Sequence, residues 1–120
     1  MFTINTDRIG DAAVVECGGK LIDSSDAFRL RDAVISGADA KIVVLDLSEV
    51  YAVEGGGIGI LVFLQRWTRD HDIRLTLFNP SPSVRRRLEL ASAMSDFDIV
   101  GLPELMALLG QPEHYYPVAA

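Results

Sequence analysis

Residues 42–47 read Ile-Val-Val-Leu-Asp-Leu, a run of β-type residues that is apolar at every position except Asp46. Strands covered by helices on both faces of a parallel sheet have this composition, whereas half-exposed strands alternate apolar and polar residues. The run therefore predicts the central strand of an α/β domain. A helical segment from about Gly57 to Asp70 and a second run of the same kind, Ile73 to Phe78, follow it and complete a β-α-β unit.

The residues before this unit predict a hairpin and a helix. Two short β-type segments, Phe2–Thr6 and Ala12–Cys17, are separated by a polar stretch that contains Gly10. An amphipathic helix is predicted from Ser24 to Ser36, with Ser24 or Ser25 as its N-cap, Gly37 as its end, and an apolar face made by Ala27, Leu30, Ala33 and Val34.

The residues after the unit predict a third crossover. Ser81 followed by Pro82 is a helix start, and that helix is expected to run to about Leu90. A last strand over Phe97 to Val100 and a short helix over Pro103 to Leu109 follow. Between the central strand and the helix after it, the sequence predicts a loop over Ser48 to Gly56. Alternating strands and helices imply a mostly parallel sheet, made mixed by the hairpin, with about five strands and about four helices.

Length and composition are those of one globular domain. The chain has 120 residues, 49% of them hydrophobic and 23% charged. We expect a single domain over residues 1–110 and a loose tail over 111–120. The net charge of −6 opposes binding to nucleic acid, and the longest apolar run is too short to cross a membrane. No signal sequence is recognisable, so a cytoplasmic location is expected, in keeping with a single cysteine.

The predicted helix over Gly57 to Asp70 carries more apolar surface than one sheet can cover. Its apolar residues span roughly 260° of the circumference. The neighbouring helices or a partner protein could cover the surplus, and the sequence does not decide between them. Trp67 belongs to this surface and is read as a core residue, although interfaces also favour tryptophan.

The sequence contains no recognisable catalytic or metal-binding constellation. Cys17 lies inside a predicted strand, and His71 and His114 have no partners at ligand spacing. Asp46 and Glu54 could form a carboxylate pair, but Asp46 at the end of a strand is better explained as a hydrogen-bonding device for the loop. Arginines 85–87 are interpreted as a solvated helix face. We therefore predict no enzyme activity, no cofactor and no metal.

The glycine-rich loop between the central strand and the next helix reads Glu54-Gly55-Gly56-Gly57-Ile58-Gly59. It lacks the third small residue of a dinucleotide fingerprint, where Ile60 stands, and the Lys-Ser/Thr pair of a phosphate-binding P-loop. A tight turn with close approach of helix to strand explains these glycines without a nucleotide.

Several of these segments together resemble the STAS domain family, which includes bacterial anti-sigma factor antagonists and the cytoplasmic tails of sulphate transporters. Residues 43–50, Val-Val-Leu-Asp-Leu-Ser-Glu-Val, resemble the family's central strand. Residues 19–23 are similar to its Gly-x-Leu-Asp motif with one residue added, and residues 79–86 and 88–91 are similar to its Asn-Pro-Ser-x-x-Val-Arg and Leu-x-Leu-x-Gly segments. The resemblance covers about residues 4 to 109.

The resemblance implies a STAS fold and a protein-binding function. In the antagonists the corresponding loop reads Asp-Ser-x-Gly-Leu-Gly, and its serine is phosphorylated by the anti-sigma kinase to release the complex. Glu54 stands at the aspartate position and Gly55 at the phosphoacceptor position, so no hydroxyl is present there. The hydroxyls of Tyr51, Ser48, Ser81 and Ser83 are weak substitutes. The resemblance places the partner-binding residues at Glu54, Gly55, Gly56, Gly57, Ile58, Val62 and Gln65.

The implied partner is an anti-sigma factor or serine kinase of the switch type, or other STAS proteins, and a homodimer is also compatible with the family. The implied role is regulation of sigma-factor-dependent transcription, in this chain without phosphorylation at position 55. Two alternatives stay open. One is an accessory subunit of a lipid or anion transporter, and the other is a scaffold component of a signalling assembly.

Overall fold

A computed structural model describes residues 1–37, 39–91 and 96–110. Its elements follow the predicted order of a hairpin and then alternating helices and strands, which confirms the α/β fold class. They are β1 (Phe2–Ile9), β2 (Ala12–Leu21), α1 (Ser24–Ser36), β3 (Ile42–Val53), α2 (Gly56–Asp70), β4 (Arg74–Phe78), α3 (Pro82–Leu90), β5 (Ile99–Val100) and α4 (Leu102–Leu108).

The five strands form one sheet in the order β1-β2-β3-β4-β5, with β3 at its centre as predicted. β1 pairs antiparallel with β2, and the remaining pairs are parallel. Gly10 has φ +57° in the two-residue turn between β1 and β2, a conformation that glycine adopts without strain. Because the three crossovers all step in the same direction along the sheet, their right-handedness places α1, α2 and α3 on one face.

The core lies between that sheet face and the three helices. The first half of β3 is buried without a break from Val43 to Leu45, and Leu45 and Leu47 are fully buried. They pack in one cluster with residues from each helix, among them Leu30 and Val34 of α1, Leu61 and Leu64 of α2, and Val84 and Leu88 of α3. The apolar periodicities read from the sequence therefore identified the faces that are buried.

Neighbouring elements cover most of the apolar surplus on α2. Ile60, Leu61 and Val62 are buried, and Ile58 and Trp67 are half-buried against the core. Phe63 stays 44% exposed. The indole ring of Trp67 stacks on the ring of His71 with centroids 4.0 Å apart, so this tryptophan caps the edge of the core.

The boundaries of several elements differ from the prediction. The loop predicted over 48–56 is wrong for most of its length, because β3 continues to Val53 and pairs with an extension of β2 to Leu21. The N-cap of α1 is Asp23 rather than Ser24 or Ser25. β5 begins at Ile99 instead of Phe97, and α4 runs one residue earlier than predicted. The predicted loose tail, residues 111–120, lies outside the described residues.

The start of α3 is as predicted. Ser81 is the N-cap, its Oγ accepts a hydrogen bond from the backbone N–H of Val84 at 3.3 Å, and Pro82 occupies the first turn. Its position matters for the site, because α3 begins beside the carboxyl end of β3, where Ser83 and Val84 lie close to Val53.

Candidate functional site

The glycine-rich loop lies at the carboxyl end of β3 and is held by backbone hydrogen bonds. The N–H of Glu54 donates to the carbonyl of Leu21 at the end of β2, at 3.2 Å. The N–H of Gly57 donates to the carbonyl of Glu54 at 2.9 Å, and the N–H of Gly59 donates to that of Gly55 at 3.2 Å. The loop is therefore a tight turn tied to two neighbouring strands.

Gly55, which the resemblance in sequence places at the phosphoacceptor position, has a backbone conformation that suits glycine. Its φ is 53° and its ψ is −120°, a combination that L side chains rarely adopt. Steric crowding does not require glycine at position 55, because the nearest atom to an added Cβ would be the carbonyl oxygen of Ile22 at 3.8 Å. The backbone of the loop, as well as the missing hydroxyl, therefore separates this site from a serine-bearing one.

Gly57 serves packing rather than contact with a partner. It is buried in the first turn of α2, and a Cβ at this position would overlap the backbone carbonyl of Leu21. Gly59, two residues further along, is exposed, and a Cβ there would meet nothing within 4 Å. Position 57 therefore has no room for a side chain, whereas position 59 does.

The structure separates the seven residues assigned to partner binding into two groups. Glu54, Gly55 and Gly56 are exposed, and Ile58 is half-buried beside them. Gly57 and Val62 are buried, and Gln65 is partly buried with its side-chain Oε1 enclosed and without a hydrogen-bond partner in the described structure. Of the seven, those accessible to a partner are therefore in the loop and the first turn of α2, whereas Val62 and Gln65 lie further along that helix.

Asp46 and His71, two polar residues considered in the sequence, make local hydrogen bonds. The Oδ1 of Asp46 accepts hydrogen bonds from the backbone N–H of Ser48 at 2.9 Å and from its hydroxyl at 2.5 Å. Asp46 lies in β3 and Glu54 follows its last residue, so eight residues at the rise of an extended strand separate them by roughly 25 Å. The Nδ1 of His71 lies 2.7 Å from the carbonyl of Trp67. No group of three or more potential metal ligands is found among the described residues.

Cys17 offers a check on the burial of β2. Its thiol is 4% exposed, and burial, with a smaller contribution from the Asp46 charge, raises its pKa to about 12. The unfolded thiol titrates near pH 8.5, so between about pH 9 and 12 only the unfolded chain has released this proton. The free energy of unfolding should therefore fall with rising pH, by up to about 1 kcal/mol per unit from this group.

Denaturant titrations of the wild type and of Cys17→Ala, at pH values between about 8 and 10, measure this effect. The wild type should lose stability relative to the alanine variant as the pH rises. Parallel pH profiles for the two proteins would contradict a buried, protonated thiol.

Tyr51 is an exposed residue of the site that the sequence identified only as a weak substitute phosphoacceptor. In the register of β2 with β3, Gly19 pairs with Val50 and Lys20 pairs with Ala52, which leaves Tyr51 as an extra residue. Such a bulge redirects a side chain out of the strand. Tyr51 is 60% exposed, with the Lys20 Nζ 5.9 Å from its ring centroid. Because the bulge depends on two paired strands, no local sequence pattern could have revealed it.

The geometry thus defines a class of domain: a mostly parallel sheet with a hydrogen-bonded glycine loop exposed at the carboxyl end of its central strand. The family model of the STAS domain matches residues 3–102. The match spans most of the chain, and the chain belongs to the STAS domain family. The resemblance drawn from the sequence motifs is confirmed. A comparison with curated protein sequences finds no significant match.

Solved structures share the fold at low sequence identity. The anti-sigma factor antagonist SpoIIAA of Bacillus, in its unphosphorylated form, is 15% identical, with 89% of this chain and 96% of that chain covered and a TM-score of 0.72. An anti-sigma factor antagonist from Mycobacterium paratuberculosis is 21% identical, with coverages of 91% and 94% and a TM-score of 0.72.

The fold is also similar to part of a membrane transporter. The murine anion transporter Slc26a9 is 18% identical, with 86% of this chain but 18% of the transporter covered, and the TM-score is 0.71. None of the helices described for the present chain has the length and apolar character needed to cross a membrane.

Proposed function

We propose that this STAS domain is an anti-sigma factor antagonist that binds an anti-sigma factor, or a related switch kinase, through the loop Glu54–Gly56 and Ile58. The observation that carries the proposal is the loop itself, which is exposed, tied to β2 by the hydrogen bond from Glu54 to Leu21 and closed by backbone hydrogen bonds of its own. A preformed surface loses little conformational entropy on binding. The matching length and fold of stand-alone antagonists support the same role.

The proposed antagonist binds without a phosphorylation switch at residue 55. A phosphate would add about −1.5 to −2 charge to the interface and disrupt it, and glycine offers no atom to carry it. Dissociation of the complex is therefore controlled by the concentration of the partner or by a change in the partner. We place this regulator in the cytoplasm, where it controls sigma-factor-dependent transcription without catalysing a reaction.

The test is capture from the native host followed by measured binding. Tagged wild type should retain an anti-sigma factor from the soluble fraction, identified by mass spectrometry. The purified partner is then titrated by calorimetry with the wild type and with Glu54→Lys. Asp70→Lys, at the opposite end of α2, is the matched control. Reversing the charge at the exposed loop is expected to weaken binding about tenfold or more, because like charges at an interface repel. The control should bind as the wild type does.

Two outcomes would contradict the proposal. One is capture of no anti-sigma factor, and the other is equal weakening by both variants, which would move the interface away from the loop. Incubation of the captured partner with ATP and the wild type should also incorporate no phosphate at the loop. Stoichiometric phosphate on this chain would overturn the constitutive mode of binding.

A second candidate function is that of an accessory subunit of a lipid or anion transporter. It is favoured by the similarity of the fold to the part of the anion transporter Slc26a9 described above. The detergent-extracted fraction of the same capture experiment distinguishes the two, because a permease or transport ATPase would then be recovered. Recovery of other STAS proteins would instead indicate a homo-oligomer or a scaffold of a signalling assembly.

A further inference from the structure

A small notch adjoins the glycine loop on the side of α3. Its volume is about 150 Å³, and it lies between the end of β3 and the first turns of α3. The buried side chains of Val53 and Val84 belong to its apolar floor. Glu54 belongs both to this notch and to the loop, so the two surfaces are continuous. Its walls are formed by Tyr51, Glu54, Ser83 and Arg87.

Tyr51 gives the notch an anchor of the kind that dominates binding energies in interfaces. Interfaces favour tyrosine because a large, amphipathic ring is fixed by only two side-chain torsions. The bulge in β3 holds this ring outward, and the Lys20 ammonium group lies 5.9 Å from the ring centroid.

Two opposite charges face the notch without pairing. Within the described part of the chain, no ion pair is formed by Glu54 or by Arg87, with each other or with another residue. Their neighbour Arg85, in contrast, pairs with Glu89 at 3.4 Å along α3. The hydroxyl of Ser83 lies on the Arg87 side and contacts the Ser81 hydroxyl at 3.3 Å. One wall is therefore acidic, and the other offers a guanidinium group and a hydroxyl.

We propose that this notch is the second half of the partner surface and receives a segment of the partner protein that carries both an acidic and a basic side chain. The acidic side chain pairs with Arg87 beside Ser83, the basic one pairs with Glu54, and the segment packs on the ring of Tyr51. Charge-assisted hydrogen bonds to a guanidinium group add directional specificity. The inference rests on the proposed function, because it extends the same interface.

The test uses the anti-sigma factor captured from the native host and five variants of the full chain. Tyr51→Ala and Arg87→Ala remove notch residues. Phe63→Ala and Arg86→Ala remove another exposed aromatic ring, on α2, and the arginine next to Arg87 on α3, neither of which lines the notch. Dissociation constants are measured by calorimetry, and circular dichroism and thermal melting verify that each variant is folded.

The two notch variants are expected to bind at least about tenfold more weakly than the wild type, with the two controls within about twofold of it. Arg87→Glu should weaken binding further than Arg87→Ala, because it repels the acidic side chain of the partner. If all variants bind as the wild type does, the notch inference is overturned while the proposed function stands. If the wild type itself does not bind, the proposed function fails.

Discussion

Replacing Gly57 with alanine is expected to destabilise the domain by about 3 kcal/mol, as overpacking of a rigid site does. The added methyl group would overlap the backbone carbonyl of Leu21, which cannot move aside like the end of a flexible side chain. Either α2 must shift away from β2 or the turn must open and lose the hydrogen bond between Glu54 and Leu21. Partner binding should weaken together with stability, because the loop is part of that turn.

The matched control for this substitution is Gly59→Ala, the same chemical change two residues along α2. Nothing lies within 4 Å of a Cβ at position 59. Alanine should therefore stabilise the helix by up to about 1 kcal/mol, the difference in helix propensity between the two residues. Chemical denaturation of the three proteins measures both effects. Equal stabilities for the two variants would show that helix α2 does not approach β2 as closely as described.

Leu45→Ala is expected to destabilise the domain by about 2–5 kcal/mol. Leu45 is fully buried in the central strand, inside the cluster to which α1, α2 and α3 all contribute. Truncation would remove its apolar contacts and leave a cavity that strands on both sides prevent from collapsing. The loss is a large part of the total stability of a domain of this size.

Leu90→Ala provides the control, because the same side chain is 66% exposed at the end of α3. That change should alter the free energy of unfolding by about 0.5 kcal/mol or less. The changes in the free energy of unfolding for both variants are obtained from their denaturant midpoints, provided that the m-value stays constant. A small effect at Leu45 would contradict its place in the core.

The sequence was informative where local periodicity and the core coincide. Ala27, Leu30 and Val34 of α1 have helical spacing and are the buried residues of that helix. Ser81 followed by Pro82 gave the start of α3 for the same reason, since capping depends on a few adjacent residues. The fold class and the family could therefore be predicted before the structure was considered.

The remaining features depend on contacts between segments distant in sequence. Polar residues such as Ser48 suggested a loop, but pairing with β2 keeps them in β3, and the register shift that results exposes Tyr51. Likewise, neighbouring glycines look equivalent in the sequence, although only Gly57 lies against Leu21. The family pattern located the loop correctly. It could not distinguish the residues that a partner can reach from those that hold the loop in place.

The order of strands in the sheet has a consequence for how this chain folds. Because β1, β2, β3, β4 and β5 stand side by side in the order in which they are synthesised, no strand has to be inserted between two that have already paired. The hairpin can form first from local contacts, and each later helix and strand then adds to the growing edge. Pairing between strands that follow one another closes shorter loops than pairing between distant strands would, and each parallel pair here still spans a helix. The ribosome can therefore release a chain whose N-terminal half has already begun to assemble.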